Sequence, residues 1–330
     1  MISSKWSNDF PEFFQKLEFL KAKLEDFKNQ HQNQTVAIAC SGGVDSMFLA
    51  HFVQTYIPNL NFLCIIIDHS LQKNSCHTAH QTKETLGFCG IDSVILTWKH
   101  EEIQTGIEEK ARNARYKLIT DFCKSNQINH VLVAHHVDDK IETFFMNSMR
   151  GTGLQGLISM REYFVRHKIN FFRPMLSLLE KSQIVKYMTT NNLKWIEDET
   201  NKNINFTRNN IRQMLCINSV QKNGILNTIQ TLENALNDFD IAFKNKLDAN
   251  WNVVGHTIQV NLKFLQALTT TEFRMCIIKI MDHFEIMHEV RQKSIYFFQE
   301  WLENPRGKYQ ISHIAFQRSE QNIVAFKINR

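Results

Sequence analysis

The chain has 330 residues, 43% of them hydrophobic and 22% charged, and a formal net charge of +5. Such a length buries a core without cross-links and is expected to divide into two domains; the composition excludes a disordered, collagenous or low-complexity chain. No apolar run approaches the roughly 20 residues of a membrane span, and the opening MISSKWSNDFPEFF lacks the charged-then-apolar profile of a secretory leader, so a cytoplasmic protein with no membrane partner is expected.

In chain order, Phe10 to about Asn29 places apolar residues at helical spacing between charges, which predicts an amphipathic packing helix within an N-terminal segment 1–33. Thr35 to Cys40 reads as a buried strand, followed by a loop of Ser41, Gly42, Gly43, Val44 and Asp45 and a helix opening at Ser46. Asn61 to Ile67 is a near-continuous apolar strand ending in Asp68-His69, the signature of a parallel sheet covered on both faces. A helical segment from about Asn74 to Leu86, a strand Ser93 to Trp98, a helix Ile107 to Lys124 and a strand His130 to Ala134 continue the alternation. The fourth strand closes on His135-His136-Val137-Asp138-Asp139 and enters another helix. This β–α order predicts a doubly wound, mostly parallel sheet whose ligands sit at the carboxyl ends of the strands.

Beyond Arg150-Gly151-Thr152-Gly153-Leu154-Gln155-Gly156 the chain turns basic: residues 150–218 hold 11 Lys+Arg against 5 Asp+Glu, a net +6 that suits a polyanionic partner. There Ser177 and Glu180 read as a capping box for a helix from Leu178 to Thr190, and Asp198 to Asn201 opens a polar loop reaching Arg208 and Arg212. From about Gln221 long helical patterns (Leu226 to Leu247, Leu265 to Phe284) alternate with strand-like pieces (Trp251 to Val260, Tyr309 to Phe326). The expected division is therefore 1–218 and a smaller α+β domain, 219–330.

The loop after the first strand carries the chemistry. Five of the eleven glycines serve two short loops, Gly42 and Gly43 here and Gly151, Gly153 and Gly156 later. Adjacent glycines let backbone N–H groups converge on an anion at a helix N-terminus. The spacing is neither that of a Walker A loop nor G-x-G-x-x-G. Asp139 and Glu142 share a helix face and can hold Mg²⁺ or an ammonium by charge, although an aspartate at this position also serves as an N-cap. His135 and His136, adjacent on a strand end, point to opposite faces and do not make a joint metal site; one is expected to pack and the other to line the site. Arg112 and Arg115 stand on the helix of Glu108, where a surface salt-bridge ladder and a phosphate contact are both open readings. Arg208 and Arg212, at helical spacing with no dense acidic neighbourhood, read as anion clamps.

Ser41-Gly42-Gly43-Val44-Asp45-Ser46 resembles the PP-loop of the ATP pyrophosphatases, with their adenine nucleotide α-hydrolase-like fold. Ile67-Asp68-His69, Glu108-x-x-Ala111-Arg112-x-x-Arg115-Tyr116, Ala134-His135-His136-x-Asp138-Asp139-x-x-Glu142-Thr143, the Arg150–Leu157 loop, Arg173-Pro174 and Asp198 through Arg212 together resemble the tRNA(Ile)-lysidine synthetases over about residues 35 to 215. The resemblance implies that ATP adenylates the C2 oxygen of the wobble cytidine of a CAU-anticodon isoleucine tRNA, and that the ε-amine of free lysine displaces AMP. It implies ATP contacts from Ser41, Gly42, Gly43, Val44, Asp45, Ser46, Ile67, Asp68, His69, Ala134 and His135, with Mg²⁺ at Asp45 and Asp139. Asp45, Asp139, Glu142 and Arg208 would be catalytic, with the lysine held by Asp139 and Glu142. Arg112, Arg115, Arg150, Gly151, Gly153 and Arg212 would contact tRNA or its phosphates, with 150–218 and 219–330 facing the tRNA. A homodimer is left open.

Departures are Ser70-Leu71-Gln72 after Asp68-His69 and Lys140 inside the acidic segment. The chain is also expected to be too short for the further C-terminal domain of longer members. A tRNA thiolase on the same scaffold would need paired cysteines, whereas these seven are scattered with no CxxC and read as reduced, mostly buried thiols. GMP- or NAD-forming ligases share the PP-loop but not the Arg150–Leu157 loop. A non-catalytic RNA-binding protein would not need Asp45 and both serines intact.

Overall fold

The computed structural model describes residues 10–71, 74–101, 105–196, 218–284, 286 and 292–328, with Glu108 and Gln292 described in backbone only. The chain forms two compact units, Met1–Leu232 and Glu233–Arg330.

The first unit is built on a six-stranded sheet of β1 (Val36–Cys40), β2 (Phe62–Asp68), β3 (Ser93–Thr97), β4 (His130–Val133), β5 (Tyr163–Arg166) and β6 (Ile169–Phe172). Its order is β3-β2-β1-β4-β6-β5, parallel except for the edge strand β5. The doubly wound reading therefore holds, with an antiparallel edge added.

Both faces are covered, as the apolar strands require. On one side α1 (Pro11–Gln30), α2 (Val44–Tyr56), α3 (Ser75–Phe88) and α7 (Lys181–Thr190) pack with Ile38, Cys64 and Phe172. On the other, α4 (Ile107–Ser125) covers Ala37, Ile65, Val131 and Phe171. Helix α1 forms because Pro11 opens it and Phe13, Leu17, Leu20, Leu24 and Phe27 recur on one face, all of them buried in this unit. Burying each such side chain contributes about 1.5–3 kcal/mol, which anchors the N-terminal helix to the sheet.

Chain order on the sheet explains where a ligand would go. From β1 the chain moves outward to β2 and β3, then returns to place β4 on β1's other side. The direction thus reverses between β1 and β4, and at that crevice the two connecting loops part. Residues 41–43 leave β1 there, and α5 (Val137–Met149) leaves β4.

Several expectations change in detail. Helix α2 opens at Val44 with Gly43 as N-cap, not at Ser46. Glu180, not Ser177, caps α7, and its own N–H is accepted by Gln183 Oε1 at 3.0 Å. A short helix α6 (Leu154–Leu157) and the β5–β6 hairpin occupy a stretch the apolar pattern does not assign.

In the second unit β7 (Trp251–Val254), β8 (Thr257–Asn261), β9 (Lys308–Ile311), β10 (Ile314–Ser319) and β11 (Asn322–Lys327) form an antiparallel sheet ordered β7-β8-β11-β10-β9. Its core joins Ile258, Val260, Phe316 and Ala325 to α9 (Leu262–Ala267), α10 (Thr270–His283) and α11 (Gln292–Glu303). The helical pattern from Leu265 to Phe284 is broken at Thr269, whose capping box with Glu272 starts α10. Helix α8 (Ser219–Asp248) runs from one unit into the other and begins before the predicted Leu226.

A testable consequence lies at the sheet's amino edge, where the His130 ring stacks 3.8 Å from His31 and edge-on to Phe27. Burial, reinforced by His31, lowers the His130 pKa to about 4. The folded chain thus takes this proton less readily than the unfolded one, so this contribution to stability is complete above about pH 6.5 and is lost as pH falls through about 4. Thermal melts from pH 7 to 4 are expected to fall less steeply for His130→Gln than for the native chain; equal slopes would refute the assignment.

Candidate functional site

The loop from Ser41 to Ser46 is wound by its own side chains. Ser46 Oγ accepts from the Ser41 N–H at 3.1 Å, donates to the Gly43 carbonyl at 3.0 Å, and lies 3.3 Å from Ser41 Oγ. Gly42 has φ +84°, and a Cβ there would overlap Thr82 Oγ1, so both conformation and space demand glycine. Its carbonyl accepts from the Ile196 N–H at 2.9 Å. These bonds hold a turn whose remaining N–H groups precede the N-terminus of α2, an arrangement suited to phosphate oxygens.

Across the crevice, the start of α5 carries an acidic cluster around a buried histidine. Asp139 Oδ2 accepts from the His136 N–H at 3.0 Å, which makes Asp139 part of the helix cap as well as a site residue. The His136 imidazole lies 3.4 Å from Asp138, 3.5 Å from Asp139 and 3.7 Å from Asp45 of the loop. Burial disfavours its charge, but the hydrogen bond to Asp138 and the fields of Asp139 and Asp45 outweigh it and raise its pKa. His136 therefore joins the two sides of the crevice. Glu142, on the same face of α5 one turn on, is 5% exposed.

Two lysines complete the cluster. Lys181 Nζ lies 2.6 Å from Asp45 Oδ2, while the buried Asp45 Oδ1 has no hydrogen-bond partner among the described residues. Lys222, from the first turn of α8, reaches Asp138 at 2.6 Å and Glu180 at 2.8 Å. Asp138 Oδ2 also accepts from the Lys181 N–H at 2.7 Å. Burial pushes the Asp138 pKa up, but His136, the Lys181 N–H and Lys222 together hold the carboxyl far below its usual range. Burial likewise works against the charge of Lys222, yet Asp138 and Glu180 raise its pKa overall.

His135 faces the other way, as adjacent strand-end residues must. Its Nδ1 accepts from Arg173 Nε at 2.8 Å, and burial, with the charge of Arg173, lowers its pKa to about 3 against the opposing pull of Asp139. Arg173 is 4% exposed, donates to the Arg161 carbonyl, and covers the Phe164 ring at 4.0 Å.

The remaining expected residues divide by place. Ile67 and Asp68 close β2 with His69 just beyond it, and Ala134 follows β4, on the same edge as the loop. The Asp68 carboxylate is engaged locally, accepting from the Ser70 N–H at 2.9 Å and Ser75 Oγ at 2.7 Å. His69 sets its ring edge-on to Trp98, with a buried Nδ1 that has no partner among the described residues. Arg112 and Arg115 lie over the Tyr116 ring, on the α4 side of the sheet.

Arg150, Gly151 and Gly153 sit past the far end of α5, about 18 Å along the helix from Asp138. Asn147 ties that turn, donating to the Gly156 carbonyl at 2.7 Å and Ser159 Oγ at 3.0 Å. Arg208 and Arg212 lie outside the described residues.

Lys181, Lys222 and Thr82 have no signal in the residue pattern, and Glu180 has one only as a helix cap, because each acts in the site across a long sequence separation. Asp138 was visible only as one of a pair of aspartates.

A family model described as a PP-loop domain matches residues 17–218. A tRNA(Ile)-lysidine synthase of Wolbachia pipientis wMel is 38% identical over 190 residues, 56% of this chain and 43% of the relative. Its namesake from Orientia tsutsugamushi (strain Boryong) is 31% identical over 248 residues, 74% of this chain and 55% of the relative. The chain thus spans about half the length of these curated relatives. Among solved structures, the U34-tRNA thiolase NcsA from Methanococcus maripaludis, with its [4Fe-4S] cluster, superposes with a TM-score of 0.56 at 15% identity, covering 66% of this chain and 79% of that one. At that identity the likeness is one of fold.

Gly42→Ala tests the loop. The left-handed backbone alone costs about 1–2 kcal/mol, and the collision with Thr82 adds to it. A lower melting temperature and weakened ATP binding are expected, with Thr82→Ser giving no relief and Thr82→Ala relieving only the collision. A Gly42→Ala chain with native stability and ATP affinity would refute this account.

Proposed function

The chain belongs to the PP-loop family, and on that premise we propose that it forms lysidine on an isoleucine tRNA with a CAU anticodon, using ATP and free lysine. The observation that carries this reading is His136 bridging Asp45 of the phosphate loop and Asp139 of the acidic pair, at 3.7 and 3.5 Å. An ATP held at Ser41–Ser46 then lies beside carboxylates suited to an ammonium group. The relatives named tRNA(Ile)-lysidine synthase, at 31–38% identity, support the same substrates.

In the first step the wobble cytidine C2 oxygen attacks the α-phosphorus of ATP, and pyrophosphate leaves. In the second, the lysine ε-amine attacks C2, loses a proton, and AMP departs with the C2 oxygen. The resulting base pairs with A instead of G, which changes the codon read. Asp139 and Glu142 orient the amine, the loop and α2 N-terminus stabilise the departing pyrophosphate, and positioning supplies much of the rate. Arg208 and Arg112 would stabilise charge near the activated base.

Mg²⁺ fits this site as an ion that arrives with nucleotide. Among the described residues no group of three or more His, Cys, Asp or Glu side chains is arranged to hold a metal alone. The unpartnered Asp45 Oδ1, with Asp139 near it, offers the one or two carboxylate oxygens such an ion takes beside phosphates and water. Bound there, it would neutralise phosphate charge.

Residues 150–218 and 219–330 are assigned to tRNA contact. No helix among the described residues is long and apolar enough to cross a membrane, and none of the six described cysteines is in a disulfide. The proposed placement in the cytoplasm goes with the proposed tRNA substrate.

The test is incorporation of radiolabelled lysine into CAU-anticodon isoleucine tRNA with ATP and Mg²⁺, with AMP scored alongside and methionine tRNA as control. Lysine-dependent label with matching AMP is expected; AMP without lysine transfer would point to another nucleophile, and no AMP would refute the enzyme reading. Asp139→Asn keeps an oxygen able to accept from the His136 N–H but loses the charge, so melting should be unchanged while lysine incorporation falls at least about 100-fold. Near-normal turnover would remove Asp139 from its role.

A further inference from the structure

We propose that the α4 face of the sheet, together with the β5–β6 hairpin, is a basic track that receives the phosphate backbone of the tRNA and leads it to the catalytic edge. This rests on the tRNA reading above and identifies where the RNA would lie. Three guanidiniums converge on one ring: Arg112, Arg115 and Arg166 lie 5.2, 5.4 and 4.3 Å from the centroid of Tyr116, which is 2% exposed. Among the described residues no ion pair neutralises Arg112, Arg166 or Arg173. Like charges gathered over an aromatic ring repel one another, and the cation–π attraction of about 0.5–2 kcal/mol per guanidinium only partly offsets this. A polyanion would offset it, and guanidinium is the group best shaped to grip phosphate oxygens.

The cluster extends along the sheet. At the carboxyl edge, the buried Arg173, held by His135 and the Arg161 carbonyl, lies beneath this face over Phe164 and adds positive charge from below. At the amino edge, Arg166 and His167 stand at the hairpin turn, and Arg166 is held to α4 by a 2.8 Å bond to Asn113 Oδ1. Burial lowers the His167 pKa, with Arg166, Lys124 and Lys117 adding to it against the pull of Asp121, which is paired with Lys117 at 2.8 Å. From Arg112 to Lys124 the helix rises about 18 Å, more than one triphosphate occupies.

Nucleotide phosphate is an unsuitable occupant for a second reason. The helix that opens from the phosphate loop, α2, packs on the opposite face of the sheet from α4. An extended phosphodiester chain reaching the carboxyl edge is what the track fits.

The test is nitrocellulose filter binding of a CAU-anticodon isoleucine tRNA to the 330-residue chain across a KCl series, with ATP affinity read in parallel from a fluorescent analogue. Arg166→Gln and Lys124→Glu are each expected to weaken tRNA binding about tenfold at physiological salt and to lower the salt slope by about one for each phosphate no longer neutralised. Arg166→Lys should restore most of the slope, and ATP affinity should stay at the native value. Should Arg166→Gln unfold the chain, Lys124→Glu at an exposed position still decides. Unchanged tRNA affinity and slope in folded variants would overturn the track even if the native chain makes lysidine. Weakened binding and reduced slopes in a chain that makes no lysidine would uphold it while the reaction assignment falls.

Discussion

The carboxylate of Asp138 is the point on which the site depends. It accepts from the Lys181 N–H at 2.7 Å, takes the Lys222 ammonium at 2.6 Å, and lies 3.4 Å from His136. The first turns of α5, α7 and α8 are thereby drawn together on one side chain. Removing water from these charges is costly, and a buried ion group of this kind is weak evidence for added stability. What it does provide is geometry. Any one partner removed would leave a charge uncompensated, so the three helix starts are committed to one arrangement. Lys181 extends that arrangement to Asp45, and His136 extends it to Asp139, so the phosphate loop and the acidic pair are placed by the same network.

Much of the first unit was legible because its elements follow local rules. Val36 to Cys40 and Phe62 to Asp68 are apolar enough to need cover on both faces, and only glycine fits the left-handed turn at position 42. The β5–β6 hairpin was not legible, for a definite reason. Its turn uses His167 at φ +50° and Lys168 at φ +67°, so two ordinary side chains adopt a backbone that normally announces itself as Asn-Gly or Gly-Gly. The capping of α7 misled differently. Ser177 and Glu180 have capping-box spacing, but Glu180 and Gln183 form the box.

The functional reading divides in a similar way. The loop and the acidic segment were readable because the chemistry needs those residue types at fixed local spacing. Lys222 lies 84 residues from Asp138 and 42 from Glu180, so no window along the chain contains the pair. Arg166 and Tyr116 are brought together only by the antiparallel edge strand that the apolar pattern missed. Long-range charge pairing leaves no periodic trace, and parts of a site built from it become visible only in three dimensions.

The bond from the Ile196 N–H to the Gly42 carbonyl also sets a schedule for synthesis. The ribosome delivers the loop early, yet the residue that satisfies its buried carbonyl is made about 150 residues later. At about 5–20 residues per second, that interval is roughly 8–30 s. For the first part of that time β1 also lacks its β4 neighbour, since Ala37 to Ala39 pair with Val131 to Val133. A nascent chain therefore carries the phosphate-binding residues well before their turn is fully braced, and a message truncated before codon 196 would encode the loop without the donor to its Gly42 carbonyl.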